Sequence, residues 1–177
     1  VQAPTGELRL YTPAMANAEV DLAYSQSIEL VCAQQPNYGF PARTTYILQM
    51  STNADMSNYV ELSEDLSPQI NVDAALLAST LTTMKTDAGL DETAFPMNLP
   101  VYFRVRSFMS ETSTNKPVPG TEMLSNIGAL NNVHLVYSLP PVEVPEQLFI
   151  VGNFGGCSWD NALSMVQCYD GANVFWH

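Results

Sequence analysis

The chain has 177 residues, enough for one or two domains, and its 46% hydrophobic content suits a globular protein with a core to bury. Six Lys and Arg against eighteen Asp and Glu give a net charge of −12, a field that repels nucleic-acid phosphates and anionic lipid headgroups. No nucleic acid is therefore expected as a partner, acidic polysaccharides are disfavoured, and a neutral or cationic ligand fits; the same acidity also serves plain solubility.

Most segments alternate with the period of two that marks strands. Leu8–Thr12 (LRLYT) and Ala18–Ala23 (AEVDLA) are weak candidates. SIELVCA sets Ile28, Leu30 and Cys32 on one face, which makes Cys32 a small core residue. QQPNYGFPA is turn chemistry carrying Tyr38 and Phe40, read as turn packing or as a weaker exposed aromatic pair. TTYILQM from Thr44 is β-branched and aromatic; Asn58–Leu62 and Gln69–Val72 are weaker strands, with SEDLSP between them read as a solvated turn. The Ala- and Leu-rich stretch after Val72 predicts a helix near 73–86 that crosses between two sheets. Leu77, Leu81 and Met84 share its inner face, Asn71 or Asp73 caps its start and Gly89 ends it. TDAGLDE (Thr86–Glu92) reads as another solvated turn. VYFRVRSF places Val101, Phe103 and Val105 in the core and Arg104 and Arg106 outside, and VHLVYS from Val133 is a further strand.

About seven short strands in the first ~140 residues imply an all-β, antiparallel sandwich of immunoglobulin or fibronectin type with one short helix. The expected layout is an Ig-like domain over 1–138 and a stiff Pro-rich linker over 139–146. Strand logic then resumes over 147–177, too short a stretch to bury a core alone, and it reads as the start of a second, incomplete β module. No run of eighteen apolar residues is present, so no membrane-spanning helix is expected, and the opening VQAPTGE carries no signal-peptide pattern and reads as a mature or trimmed start.

Catalysis is not expected. His134 lies mid-strand and His177 is the last residue, so no nucleophile–base set assembles. The acidic turns lack the alternate-position spacing of a calcium loop, and no metal or cofactor is expected. Cys157 and Cys168 could bridge a hairpin, but an odd count of three cysteines and no C-x-x-C spacing argue against a framework.

NYGFPARTTYILQMS, DAALLASTL, YFRVRSF and MLSNIGA, in this order and spacing, resemble the N-terminal domain of SusE-type outer-membrane lipoproteins of Bacteroidetes. LFIVGNFGGCSWDNALSM and VFWH resemble the start of the carbohydrate-binding modules that follow in SusE and SusF. The resemblance implies a cell-surface, lipid-anchored parent at the outer membrane. It implies a non-catalytic role in binding a neutral polysaccharide or oligosaccharide, with the Ig-like domain as spacer for downstream modules. An outer-membrane glycan importer and companion binding proteins are the implied partners. A purely structural or adhesin domain, or an accessory module of a secreted glycosidase, are the alternatives.

For a neutral glycan the chemistry needed is an exposed ring against C–H faces, with amides and carboxylates for hydroxyls. Trp159 in the Gly-rich loop is the candidate ring, with Asp160 and Asn153 as the candidate polar partners. The other reading of Trp159 is a core plug. Trp176 is expected in a strand core.

Overall fold

The computed structural model describes residues 3–34, 36–140, 147, 149–150, 152, 163–165, 167–170 and 173–176. The chain divides into two compact units, 1–140 and 141–177.

In the first unit, β1 (Arg9–Leu10), β3 (Ser27–Gln34) and β6 (Gln69–Asp73) form one antiparallel sheet in the order β1-β3-β6. The second sheet runs β2 (Glu19–Asp21), β9 (Gly128–Leu135), β7 (Met97–Met109), β4 (Thr44–Ser51), β5 (Val60–Asp65). β8 (Met123–Leu124) pairs with the far end of β7. The long β7 is the organiser: β4 lies along one edge, while β9 and β8 share the other. Among the described residues of this unit, all strand pairings are antiparallel but one, since β2 runs parallel to β9. This is the expected all-β sandwich.

The core lies between the sheets. Ile28, Leu30, Cys32, Ile70 and Val72 from one sheet meet Tyr46, Leu48, Met50, Val101, Phe103, Val105, Leu130 and Val133 from the other. The predicted β7 register holds: Val101, Phe103 and Val105 are buried, with Arg104 and Arg106 on the outer face. Helix α1 (Ala74–Asp87) links β6 of one sheet to β7 of the other. Its start is capped by Asp73, whose Oδ1 accepts from Leu76 N–H at 2.9 Å. Leu77 and Leu81 are fully buried and Met84 packs against the same cluster. Beyond Ala88 the chain turns through Gly89 at φ +93°, a region that favours glycine.

Three expectations on element limits need correction. SEDLSP is not all turn: Ser63–Asp65 continue β5, paired with β4 at Leu48, Ile47 and Tyr46, and the turn is confined to 66–68. β7 begins four residues earlier than Val101, because Met97–Leu99 pair with β9. Pro100 is accommodated at the register shift between Leu99 and Val101, where its missing N–H breaks no ladder bond. β9 likewise begins at Gly128 and ends at Leu135, so Val136–Ser138 lie past the strand.

The MLSNIGA stretch fastens the two sheets. Ser125 Oγ accepts from Val105 N–H at 2.9 Å, and Ser125 N–H donates to Val105 C=O at 2.8 Å. The Asn126 side chain closes on the other sheet, accepting from Leu10 N–H at 2.9 Å and donating to Leu10 C=O at 3.1 Å. Gly128 completes the join, since a Cβ there would stand 3.2 Å from Leu10 Cδ2.

In the second unit, β10 (Phe149–Ile150) pairs antiparallel with β11 (Leu163–Ser164), and β12 (Gln167–Asp170) with β13 (Asn173–Trp176). Phe149 and Leu163 are exposed.

Candidate functional site

Trp159, Asp160 and Asn153 lie outside the described residues, as do Cys157 and hence the Cys157–Cys168 pairing, and His177. Of their surroundings, the structure gives the flanking pair β10–β11. The backbone of Trp176 is in β13, opposite Gln167.

On the first unit, three polar regions could meet a ligand. The first covers the outer face of β4, β5 and β7. Thr45, Ile47, Gln49 and Ser51 point away from the core yet are buried, because long side chains from β7 and β5 roof them. Gln49 Oε1 accepts from Arg104 Nε at 3.0 Å and Nη2 at 2.7 Å, while Gln49 Nε2 donates to Glu61 at 3.2 Å. Arg106 bridges Glu122 at 3.0 Å and Glu61 at 3.4 Å. Arg104 lies 5.3 Å from the Tyr59 ring centre, and Arg106 5.1 Å from that of Phe108. These donors are taken up by acceptors of the same layer, which acts as a lid over β4. Each half-exposed ion pair contributes about 0.2–1 kcal/mol.

The second region sits on β2, β9 and β7, where Asn98 Nδ2 donates to Glu19 at 3.0 Å and to Asn132 at 2.8 Å. His134 Nδ1 lies 2.7 Å from Asn98 Oδ1. An amide oxygen only accepts, so Nδ1 carries the proton. His134 is thus a strand residue hydrogen-bonded to its neighbour across the sheet.

The third region is concave. A cleft of about 440 Å³ opens between the turn after β2, the first turns of α1 and the segment after β9. Leu22, Ala78 and Val136 give it apolar surface, and Ser25, Gln26, Asp73 and Ser138 give it polar groups. Its walls are pinned. Ala74 N–H donates to Gln26 C=O at 3.0 Å, Ser25 Oγ to Asp21 C=O at 2.7 Å, and Ser138 N–H to Thr82 Oγ1 at 3.2 Å. Tyr137, another lining residue, meets Phe95 edge-on with ring centres 5.4 Å apart and donates to Glu92 at 2.9 Å. That bond to the Glu92 carboxylate holds the phenol above its ordinary range. Tyr24, in the turn between the lining residues Ala23 and Ser25, is 90% exposed.

Tyr24 follows the weak strand candidate Ala18–Ala23, and its signal in the sequence is a tyrosine in the short connection between two strands. Of the pair Tyr38 and Phe40, Tyr38 is buried, with its hydroxyl donating to Thr121 C=O at 3.3 Å, and Phe40 is exposed. Among the described residues, no group of three or more His, Cys, Asp or Glu could hold a metal, and no helix is long and apolar enough to cross a membrane. TDAGLDE resolves into the end of α1 and the cap of a short 3₁₀ turn at Glu92–Ala94. Asp91 accepts there from Thr93 N–H and Oγ1, which holds its carboxyl below the usual range.

The family described as SusE outer membrane protein matches residues 1–106, from the N-terminus into the middle of β7. The match spans the turn after β2, α1 and the Arg104–Gln49 pair. Covering more than half of the chain, it assigns the protein to the outer membrane and to glycan utilisation: the chain belongs to the SusE outer membrane protein family.

Proposed function

We propose that the chain is a non-catalytic part of a surface protein that captures a neutral polysaccharide or oligosaccharide for import. In this reading, residues 1–138 are an Ig-like spacer, 139–146 a stiff linker, and 147–177 the opening strands of a carbohydrate-binding module whose remainder lies downstream. The spacer holds the binding modules away from a lipid-anchored end, and the captured glycan passes to an outer-membrane importer acting with companion binding proteins. The family match over 1–106 carries the reading. The division of the chain near Pro140 into a sandwich and a short hairpin-containing unit supports it.

Trp159 is the proposed stacking ring, and Asp160 and Asn153 the proposed hydroxyl partners. Calorimetry tests this on the 177-residue chain and on a longer chain that completes the module. The longer chain should bind a neutral glycan more tightly, and Trp159→Ala should remove that gain. An unchanged affinity in Trp159→Ala would make Trp159 a core plug and overturn the site. Glycan hydrolysis by the chain, lost on changing one specific carboxylate, would overturn the non-catalytic reading and favour an accessory role beside glycosidase chemistry. The self-bonded arginine layer over β4 favours a purely structural or adhesin role for the first unit as the second reading.

A further inference from the structure

We propose that the cleft beside α1 is a second sugar subsite, taking one neutral pyranose unit of an oligosaccharide, with Tyr24 as its stacking ring. The inference rests on the glycan reading above but places a site within the unit treated there as a spacer.

Three observations converge. The cleft's volume of about 440 Å³ falls within the roughly 300–1,000 Å³ of small-molecule pockets. Its surface mixes apolar patches with an amide, hydroxyls and a carboxylate, the complement of a ring whose C–H faces are apolar and whose edges carry hydroxyls. Tyr24 stands in the turn whose Ala23 and Ser25 line the cleft; at 90% exposure its ring gains little for folding, whereas an amphipathic ring held on a short turn beside the cleft suits stacking.

The charge of the site selects the ligand. Asp73 is its one ionisable acid, and no Lys or Arg lines it among the described residues. The positive end of α1, which could draw an anion, is occupied by the Asp73 cap. An anionic sugar would therefore meet a carboxylate with no counter-charge, inside a molecule of net charge −12. A neutral pyranose keeps its hydroxyls for Gln26, Asp73 and Ser138.

The test is amide-resolved NMR titration of the full chain with maltohexaose, cellohexaose, xylohexaose and, as the anionic control, trigalacturonic acid. At least one neutral hexaose should shift the amides of 22–26 and 73–78. Tyr24→Ala should weaken that binding by at least about tenfold, equivalent to roughly 1.4 kcal/mol, while Tyr24→Phe keeps the stacking ring and most of the affinity. Gln26→Ala should weaken it without moving the unfolding midpoint. Shifts confined to 147–177 would overturn the cleft and leave the proposed function standing. Shifts around the cleft that survive Tyr24→Ala, or a preference for trigalacturonic acid, would overturn the assignment. No shift with any probe would also overturn it, and glycan binding by the longer chain would then decide the proposed function separately.

Discussion

Removing the Asn126 side chain should cost far more than its place in a loop suggests. Leu10 is 1% exposed, and Tyr11, not Leu10, donates to Val31 of β3. Both backbone groups of Leu10 therefore turn to the Asn126 amide, at 2.9 and 3.1 Å. Two such bonds contribute about 1–3 kcal/mol net, and each group left dry adds a desolvation cost of roughly 1–3 kcal/mol. Water admitted to this part-buried site recovers some of that. Asn126→Ala is expected to destabilise the first unit by about 2–4 kcal/mol. Asn126→Asp should be as damaging at neutral pH, because a carboxylate oxygen replaces the donor to Leu10 C=O. It should recover on acidification, when the protonated carboxyl can donate again. The assay is urea unfolding followed by far-UV circular dichroism, since both tryptophans, Trp159 and Trp176, belong to the second unit. Hydrogen exchange at the Leu10 amide serves as the local readout. A loss under about 0.5 kcal/mol, with Leu10 exchange unchanged, would show that water substitutes fully and that the fastening is incidental.

Three further outcomes are expected. Phe103→Ala, at a site 1% exposed between the sheets, should cost about 3–5 kcal/mol in the same unfolding experiment. Asp73→Ala, which removes the acceptor for Leu76 N–H, should cost roughly 0.5–2 kcal/mol, with Asp73→Asn nearly neutral. Alkaline titration should destabilise the fold. Burial pushes the Cys32 thiol up from 9.0 to about 11, and burial together with the neighbouring Cys32 and Tyr38 pushes the Tyr46 phenol from 10.0 to about 12. The unfolded chain loses these protons first, so stability holds below pH 9 and falls as pH rises through 9–12. A Cys32→Ala variant should lose less stability across the lower part of that window, and equal losses would assign the fall to other groups.

The strands that the sequence revealed are those with one face in the core. SIELVCA, TTYILQM and VYFRVRSF alternate because each feeds the same interior, and α1 was legible through Leu77, Leu81 and Met84. What stayed hidden is set by partners. GALNN has little strand propensity, yet it becomes the first part of β9 because β7 presents Val101–Phe103 to it. Ser63–Asp65 look like a polar turn and are held as strand by β4. The parallel β2–β9 pair depends on a crossing between sheets that no local pattern announces. The Ser-Asn pair in MLSNIGA was visible as a motif, while its reason, two backbones met from opposite sheets, is a tertiary fact. The cleft was illegible for the same cause: Ser25, Gln26, Asp73 and Ser138 come from three distant segments of the chain.

The parallel pairing of Glu19–Asp21 with Asn132–His134 also bears on how the first unit carries load. Tension between the segment ahead of β2 and the segment behind β9 draws the two strands past each other along their common axis. Their hydrogen bonds, together with that from Leu22 N–H to His134 C=O, are then strained together and not opened one at a time. An antiparallel pair joined at a turn and pulled from its free ends would instead unzip. For a protein at the outer membrane, this geometry makes the sandwich resist extension best along the direction that runs through the chain.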